Sequence, residues 1–447
     1  MQPADRLHAL DAVRAYALLL GVVLHGAAAF LEGFPIPLWN DEPSGVGATV
    51  IYYVIHMFRM SAFFLMAGFF ARLLVERRGV KAFVKDRAKR VALPLVLFSI
   101  VVSLTAALGF VLGALPHGVD FLMAQAQSAQ PQPGAVPGVQ AAAGGFNLGH
   151  LWFLYYLLLF YALALATRRI VQAVDARGLV AAACDRVVAF ALRGVWGPVL
   201  IALPTAIYLW QLPSWPEWLG LPAPFLLTPS PTALIGYGIA FGLGWLLNRQ
   251  VQAVLGLQKL WYVYLALAVA LTVFCLTTIG AEPRWAGGNL SGEDRVLYAA
   301  AYMVGQWCWV FGFVGAAVRF LSTPHRVTRY LADASYWVYL MHLSTLIFFI
   351  TLLKPFDWHW SLKLAVYVGG SMPILLVTYH WLVRFTWIGA MLNGRRHPDP
   401  RSGRPRAPRW RPRERARSNL KNAELTWLRR SASFDWFAFP FHRGEFQ

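Results

Sequence analysis

Two ionisable side chains, Arg14 and His25, stand in the first apolar stretch of the chain. Eleven residues at 100° each turn through ~1100°, about three full turns, so in a helix both side chains face the same way, ~16 Å apart along the axis. A guanidinium is permanently charged and forks onto phosphate oxygens, so Arg14 suits the phosphates of a coenzyme A thioester at one membrane surface. The separation then matches the reach of an extended pantetheine arm. An imidazole held away from water favours its neutral form, so His25 can take a proton from an attacking hydroxyl as a general base. The plainer reading of Arg14 is snorkelling at the interface, paired with Asp11 at i, i+3.

Other apolar stretches carry polar groups of the same kind: His56, Arg59 and Arg72 in the second, His150 at the start of the fourth, and Tyr336, Tyr339 and His342 in the ninth. Three residues apart, His56 and Arg59 share a helix face, and the cost of placing them against lipid turns that face towards a protein interior or a cavity. Arg59, Tyr339 and His342 carry donors suited to an oxyanion. For each of these residues the alternative is a hydrogen-bonded structural role between helices. Glu32, two turns beyond His25, would orient the ring if the helix persisted that far; a solvated loop acid is the plainer reading. Cys184, Cys275 and Cys308 are far apart and read as filler, so no metal site is expected.

The elements that must position these groups are membrane helices. Of 447 residues 58% are hydrophobic and only 14% charged, more apolar surface than a soluble domain buries. The net charge of +19 falls in short segments between apolar runs, as membrane topology requires, so no nucleic-acid partner is expected. Windows of ~20 apolar residues give ten spans, at 9–30, 47–74, 90–114, 149–168, 194–211, 232–248, 259–280, 297–319, 334–353 and 363–388. The first is too long for a signal-peptide core and is read as retained. The expected fold is therefore all-α, a polytopic bundle of about ten transmembrane helices.

Every second loop is basic. Arg77, Arg78, Lys81, Lys85, Arg87, Lys89 and Arg90 separate spans two and three, whereas the loop before span two offers only Glu32, Asp41 and Glu42. This asymmetry puts both termini in the cytoplasm. Residues 115–148, rich in Ala, Gln, Pro and Gly, read as a flexible outer loop. Residues 212–231, with Trp215, Trp218 and the prolines Pro213, Pro216, Pro222 and Pro224 among them, suit the membrane interface or, as the alternative, sugar contact. The glycines at 236–238 and 242–244 lie in an apolar span and read as helix-packing positions. Residues 1–395 thus form the membrane domain, and residues 396–447 a basic Arg/Pro-rich cytoplasmic tail against anionic lipid.

Arg14 and His25, with ten residues between them, resemble the R-x10-H motif of the membrane acyltransferase-3 family. Further stretches agree: Leu10-Asp11-Ala12-Val13-Arg14, Phe63-Phe64-Leu65-Met66-Ala67-Gly68-Phe69, Arg87-Ala88-Lys89-Arg90 before Pro94, His150-Leu151-Trp152-Phe153-Leu154, and Ser335-Tyr336-Trp337-Val338-Tyr339-Leu340-Met341-His342. His56-Met57-Phe58-Arg59-Met60, Val383 to Gly389 and Asn393-Gly394-Arg395 are most similar to the glucans biosynthesis protein C branch, whose members succinylate osmoregulated periplasmic glucans. The resemblance covers roughly residues 6 to 396. It implies a multi-pass protein of a bacterial inner membrane, a cytoplasmic acyl-CoA donor (succinyl-CoA or acetyl-CoA) as co-substrate with no permanently bound cofactor, and a periplasmic glucan or other envelope glycan as acceptor. Arg14 and His25 take essential roles; Arg72, Arg87, Arg90 and Arg384 are expected to bind the donor, and His56, Arg59, His150, Tyr339 and His342 to support the cavity or transition state. Direct transfer and an acyl-enzyme relay through His25 both remain open. A glycan or lipid flippase is the rival reading, against which no inverted repeat or pair of broken helices is visible. A purely structural membrane partner is the third.

Overall fold

The computed structural model describes residues 3–34, 41, 46–128, 148–323 and 325–394, all helices and connections with no strand among them. The tail from 396 onwards and the Ala/Pro-rich run 129–147 lie outside the described residues. We number the helices α1 (Pro3–Ala27), α2 (Val46–Arg87), α3 (Leu93–Ala114), α4 (Val119–Ser128), α5 (Trp152–Val174), α6 (Leu179–Ala191), α7 (Gly197–Gln211), α8 (Pro231–Leu247), α9 (Val251–Gly256), α10 (Trp261–Ile279), α11 (Gly292–Phe320), α12 (Arg326–Leu353), α13 (Trp360–Thr378) and α14 (Trp387–Asn393).

Among the described residues seven helical segments are long and apolar enough to cross a membrane, and α7 and α8 are shorter apolar helices. The ten sequence windows do not reappear one for one. The second and third join in a single run of 72 residues, 46–117, while the fifth and sixth fold as helices of 15 and 17 residues. At 1.5 Å per residue the long run would reach ~108 Å, far beyond a hydrocarbon core of about 30 Å. It is broken at Gly79, whose φ of 79° and ψ of 165° only glycine adopts readily. The basic stretch 77–90, expected as a loop, is therefore mostly helical: Lys and Arg are good helix formers, and one glycine supplies the bend. A π-helical turn at Ala88–Ala92 then leads into α3, whose second residue is Pro94.

Apolar side chains of α3, among them Val96, Ile100 and Leu104, stay exposed, a face that water would not tolerate and lipid does. The opposite face packs on α12 through two small residues one turn apart. A Cβ on Gly109 would strike the Ser344 carbonyl oxygen, and one on Gly113 would lie 2.6 Å from that of Phe348. Such small-residue spacing lets backbones approach where no hydrophobic drive between helices exists. Gly68 of α2 and Gly244 of α8 do the same, each meeting a backbone carbonyl of the other helix, at Phe241 and Leu65. Of the glycines expected at helix contacts, Gly244 packs on α2 and Gly238 lies against Phe160 of α5, whereas Gly236 meets Leu221 of the preceding loop and Gly242 faces open space.

The segment between α7 and α8 departs from the interfacial expectation. Trp215 and Trp218 are fully buried in protein, as is Glu217. The Glu217 carboxylate accepts from the backbone N–H of Gly288 at 3.2 Å and of Asn289 at 3.4 Å, from Asn289 Nδ2 at 3.1 Å, and pairs with Arg295 at 3.4 Å. A charge so matched can be buried, and it draws both tryptophans down with it. A second buried pair, Lys363 Nζ to Asp41 Oδ1 at 2.8 Å, joins the segment after α1 to α13, with Tyr367 donating to the other carboxylate oxygen.

Candidate active site

Four helical elements converge on one cluster. His25 comes from the last turn of α1, His56 and Arg59 from α2, His150 from a short 3-10 turn before α5, and His342 from α12. α1 packs against α2, α11, α12 and α13 and so lies among the others. The imidazoles of His25 and His342 have ring centres 5.2 Å apart, and those of His342 and His150 are also 5.2 Å apart. His56, His150, His342 and Arg59 all lie within electrostatic range of His25. The expected constellation of α1, α2, α5 and α12 residues is therefore brought together. No group of three or more His, Cys, Asp or Glu among the described residues has metal-holding geometry.

Hydrogen bonds assign the tautomers. His342 Nδ1 lies 2.7 Å from the Tyr339 carbonyl oxygen and 3.2 Å from that of Val338; carbonyls only accept, so Nδ1 carries the proton and Nε2 the lone pair. Nε2 is buried with no partner among the described residues. His150 Nε2 donates to the Leu340 carbonyl at 3.2 Å, and Tyr339 Oη donates to the His150 carbonyl at 2.8 Å. This corrects one expectation. Tyr339 has committed its proton, and His342 presents an acceptor, so neither is the oxyanion donor that its residue type suggested.

Arg59 is different. Its guanidinium lies against Gly21 of α1, one turn before His25, near the phenols of Tyr52, Tyr237 and Tyr339, and no carboxylate pairs with it among the described residues. A cation in a membrane interior without a counter-charge marks a place for transient negative charge. His56 stacks on Tyr52 at 5.3 Å, and Tyr52 on Trp218 at 6.0 Å, so the buried loop before α8 backs the cluster. Glu32 does not orient His25: the helix gives way to a 3-10 turn at Ala28–Phe30, and Glu32 is exposed, its carbonyl accepting from Trp285 Nε1.

Arg14 stands at the other end of α1, paired with Asp11 at 3.4 Å and lying over the Phe70 ring at 5.4 Å. It lines two adjoining cavities. The outer, about 580 Å³, has His8, Arg14, Arg78, Arg90, His325 and Arg329 on its wall, with Asp11, Asp86 and Asp333. The inner, about 120 Å³, is narrower and aromatic, lined by Arg14, Arg87, Arg90, Phe70, Phe153, Tyr161, Tyr336 and Tyr339 among others. Arg14, Arg90, Ala332 and Asn393 belong to both, so a basic mouth adjoins a cavity that ends on Tyr339, whose ring centre lies 5.3 Å from that of His150 and 6.3 Å from that of His342.

Of the four arginines expected at the donor, Arg87 and Arg90 line this path and Arg72 and Arg384 do not. Arg72 faces a separate cavity of about 530 Å³ between α5, α6 and α8, where it donates to the Trp245 carbonyl at 3.4 Å and lies 3.9 Å from Glu76. Arg384 stacks over Tyr330 at 5.0 Å and Phe385 at 5.6 Å. Both were expected at the donor from the family resemblance, and neither lines the cavities at Arg14. Sequence reasoning missed Gly21, which carries no signal by itself, and Lys363, whose charge inside an apolar window was a usable one.

With this geometry in view, the profile of the Acyltransferase domain family, acyltransferase 3, matches residues 7–380. The chain is 34% identical to glucans biosynthesis protein C of Escherichia coli strain K12 over 95 residues, 21% of this chain and 24% of that protein. It is 36% identical to the protein of that name from Escherichia coli strain SMS-3-5 over 93 residues, again 21% and 24%. The Shigella dysenteriae serotype 1 protein of that name is 34% identical over 93 residues, with the same coverage. The chain spans about a quarter of the length of these curated relatives. No solved structure matches.

Proposed function

This chain belongs to the acyltransferase-3 family and is a multi-pass membrane acyltransferase, and from that premise we propose that it transfers an acyl group, succinyl or acetyl, from cytoplasmic acyl-CoA to a hydroxyl of a periplasmic glucan or other envelope glycan. The reading takes the bundle as ten spans in a bacterial inner membrane with both termini inside, following the basic loops. The observation that carries it is the basic mouth at Arg14 and Arg90 adjoining a narrow aromatic cavity whose wall includes Tyr339, the ring that packs against His150 and His342.

On this reading Arg14, Arg87 and Arg90 hold the donor's phosphates, and the pantetheine arm runs inward past Phe70, Phe153 and Tyr339. His25 takes the proton of the acceptor hydroxyl as its oxygen attacks the thioester carbonyl. The charge on that carbonyl oxygen falls to Arg59, whose guanidinium pairs with no carboxylate among the described residues. The C–S bond then breaks, and the thiolate takes the proton from His25 to leave as the thiol. Direct transfer needs no other group; an acyl-enzyme through His25 would need a separate base.

The test is a mass spectrum of periplasmic glucans from cells lacking their own enzyme and carrying wild type, His25→Ala or Arg14→Ala at matched membrane levels. Added acyl mass with wild type and none with His25→Ala is expected, and the mass names the group. Unmodified glucans with wild type would reject the acceptor; modification by His25→Ala would reject the mechanism. Glycan movement across the membrane without donor turnover would mark a flippase.

A further inference from the structure

We propose that the cavity between α5, α6 and α8 holds one anionic phospholipid, its phosphate on Arg72, Arg168 and Arg249 and an acyl chain along the groove between α5 and α8. The cavity, about 530 Å³, is polar at one end and apolar at the other. Arg168 and Arg249 stand near the C-terminal ends of α5 and α8, and Arg72 reaches in from α2. From Arg168 the wall runs back along α5 to Phe160, a rise of ~12 Å, and from Arg249 back along α8 to Gly238, a rise of ~16 Å. Half of a hydrocarbon core of about 30 Å is ~15 Å, so the groove has the depth of one lipid leaflet. Gly238 and Gly242, one turn apart, keep it open: a Cβ on Gly242 would meet nothing within 4 Å, and one on Gly238 only the Phe160 ring. Leu163 on the facing helix is exposed, so the groove opens sideways to the bilayer.

Helix α6 sets the level of the polar end. With 13 residues it is too short to cross a membrane, and its Val187 and Phe190 stay exposed while Val188 and Ala191 are buried. Its Asp185 pairs with Arg249 at 2.6 Å. A short helix with apolar side chains on its outside and a charged contact on its inside lies in the interface, where lipid headgroups are.

Charge then selects the headgroup. The wall carries three guanidiniums and, among the described residues, one carboxylate, Asp175, which already accepts from the Ala181 backbone N–H at 3.0 Å. Glu76 and Asp185 stand behind the wall; Glu76 lies 2.9 Å from Arg168 and 3.9 Å from Arg72. A guanidinium has five N–H donors, and Arg168 and Arg249 are each held by one carboxylate from behind, so both keep donors for phosphate oxygens. Arg169, Arg177 and Arg186 in the same stretch of chain tip the surroundings to positive, which favours a headgroup of net negative charge over a zwitterionic one.

The test titrates the 447-residue chain in detergent with phosphatidylglycerol or phosphatidylcholine and weighs the intact complexes by native mass spectrometry. Wild type should retain one phosphatidylglycerol with about 10-fold preference over phosphatidylcholine, and Arg168→Gln with Arg249→Gln should cut that retention by roughly 10- to 30-fold. Gly242→Phe, which fills the groove and leaves every arginine in place, should cut it as far. Equal retention of the two lipids, or retention unmoved by either change, overturns the proposal. Displacement of the lipid by coenzyme A does so too, by giving the cavity to the acyl donor. If the variants do not fold, wild type photolabelled with a diazirine-bearing phosphatidylglycerol decides: label on residues 160–172 and 238–249 is expected, and label confined to other helices overturns the site. A wild type that retains the lipid but transfers no acyl group would remove the acyl-transfer reading and leave this site standing.

Discussion

Gly21 and Arg59 interlock across α1 and α2: a methyl group at position 21 would occupy the place of Arg59 Nη1, one helical turn before His25. The absent side chain on α1 is what leaves room for a guanidinium beside the histidine cluster.

Gly21→Ala should therefore displace Arg59 while helix propensity, if anything, improves. We expect transfer to fall by about 100-fold, the size of effect seen when one oxyanion donor is lost, with thermal stability in detergent near wild type. Unchanged turnover in a folded Gly21→Ala protein would show that Arg59 does not act where it stands.

Arg14 and His25 should fail in different ways. Arg14→Ala removes a charged hydrogen-bond donor from the donor's mouth, about 1.5–3 kcal/mol, and should raise KM for the acyl donor by roughly 10- to 100-fold. His25→Ala should leave that KM alone and lower kcat by about 10²–10⁴. Steady-state kinetics on protein in lipid discs separates the two; a pure kcat loss in Arg14→Ala would place it in the chemistry instead.

The four accessory arginines should divide in pairs. Arg90→Ala opens the mouth cavity and should raise the donor KM about 10-fold, whereas Arg72→Ala and Arg384→Ala should leave it within roughly 2-fold, because neither lines the path from Arg14 to Tyr339. Competition by coenzyme A for a labelled donor measures this directly. A large effect at Arg72 would mean the donor occupies the cavity between α5, α6 and α8.

Lys363→Met should destabilise the membrane domain by about 3–5 kcal/mol, since it leaves the Asp41 carboxylate buried without its cation. Adding Asp41→Asn should recover most of that loss. Thermal unfolding in detergent reads both, and a double variant no better than the single one would show that the pair is not the determinant.

Gly113→Leu should separate α3 from α12 and cost about 1–3 kcal/mol, because the group its side chain meets is the Phe348 backbone and cannot rotate away. A melting temperature equal to wild type would contradict the close contact.

Helix formation is a local matter, and what depended on it was legible in the chain. Apolar windows located the membrane segments, and a spacing of eleven placed Arg14 and His25 on one face of α1 from the 3.6-residue period alone. Ordered motifs along the chain carried the family. Helix ends were less legible: the fusion of two windows into the run 46–117 depended on a single bend at Gly79.

Tertiary packing decided the rest. Whether Arg72 or Arg90 lines the path depends on how each helix is rotated against its neighbours, which follows from small-residue contacts such as Gly68 with Phe241 and not from charge or spacing. Trp215 and Trp218 have the composition of an interfacial belt, yet Glu217 between them finds Arg295 and two backbone N–H groups and takes all three inside. His342 read as a donor from its residue type; only the Val338 and Tyr339 carbonyls reveal that its Nε2 carries the lone pair. A sequence specifies each residue's chemistry and its direction within a helix, but which residues of distant helices meet is fixed by the shapes that interlock between them.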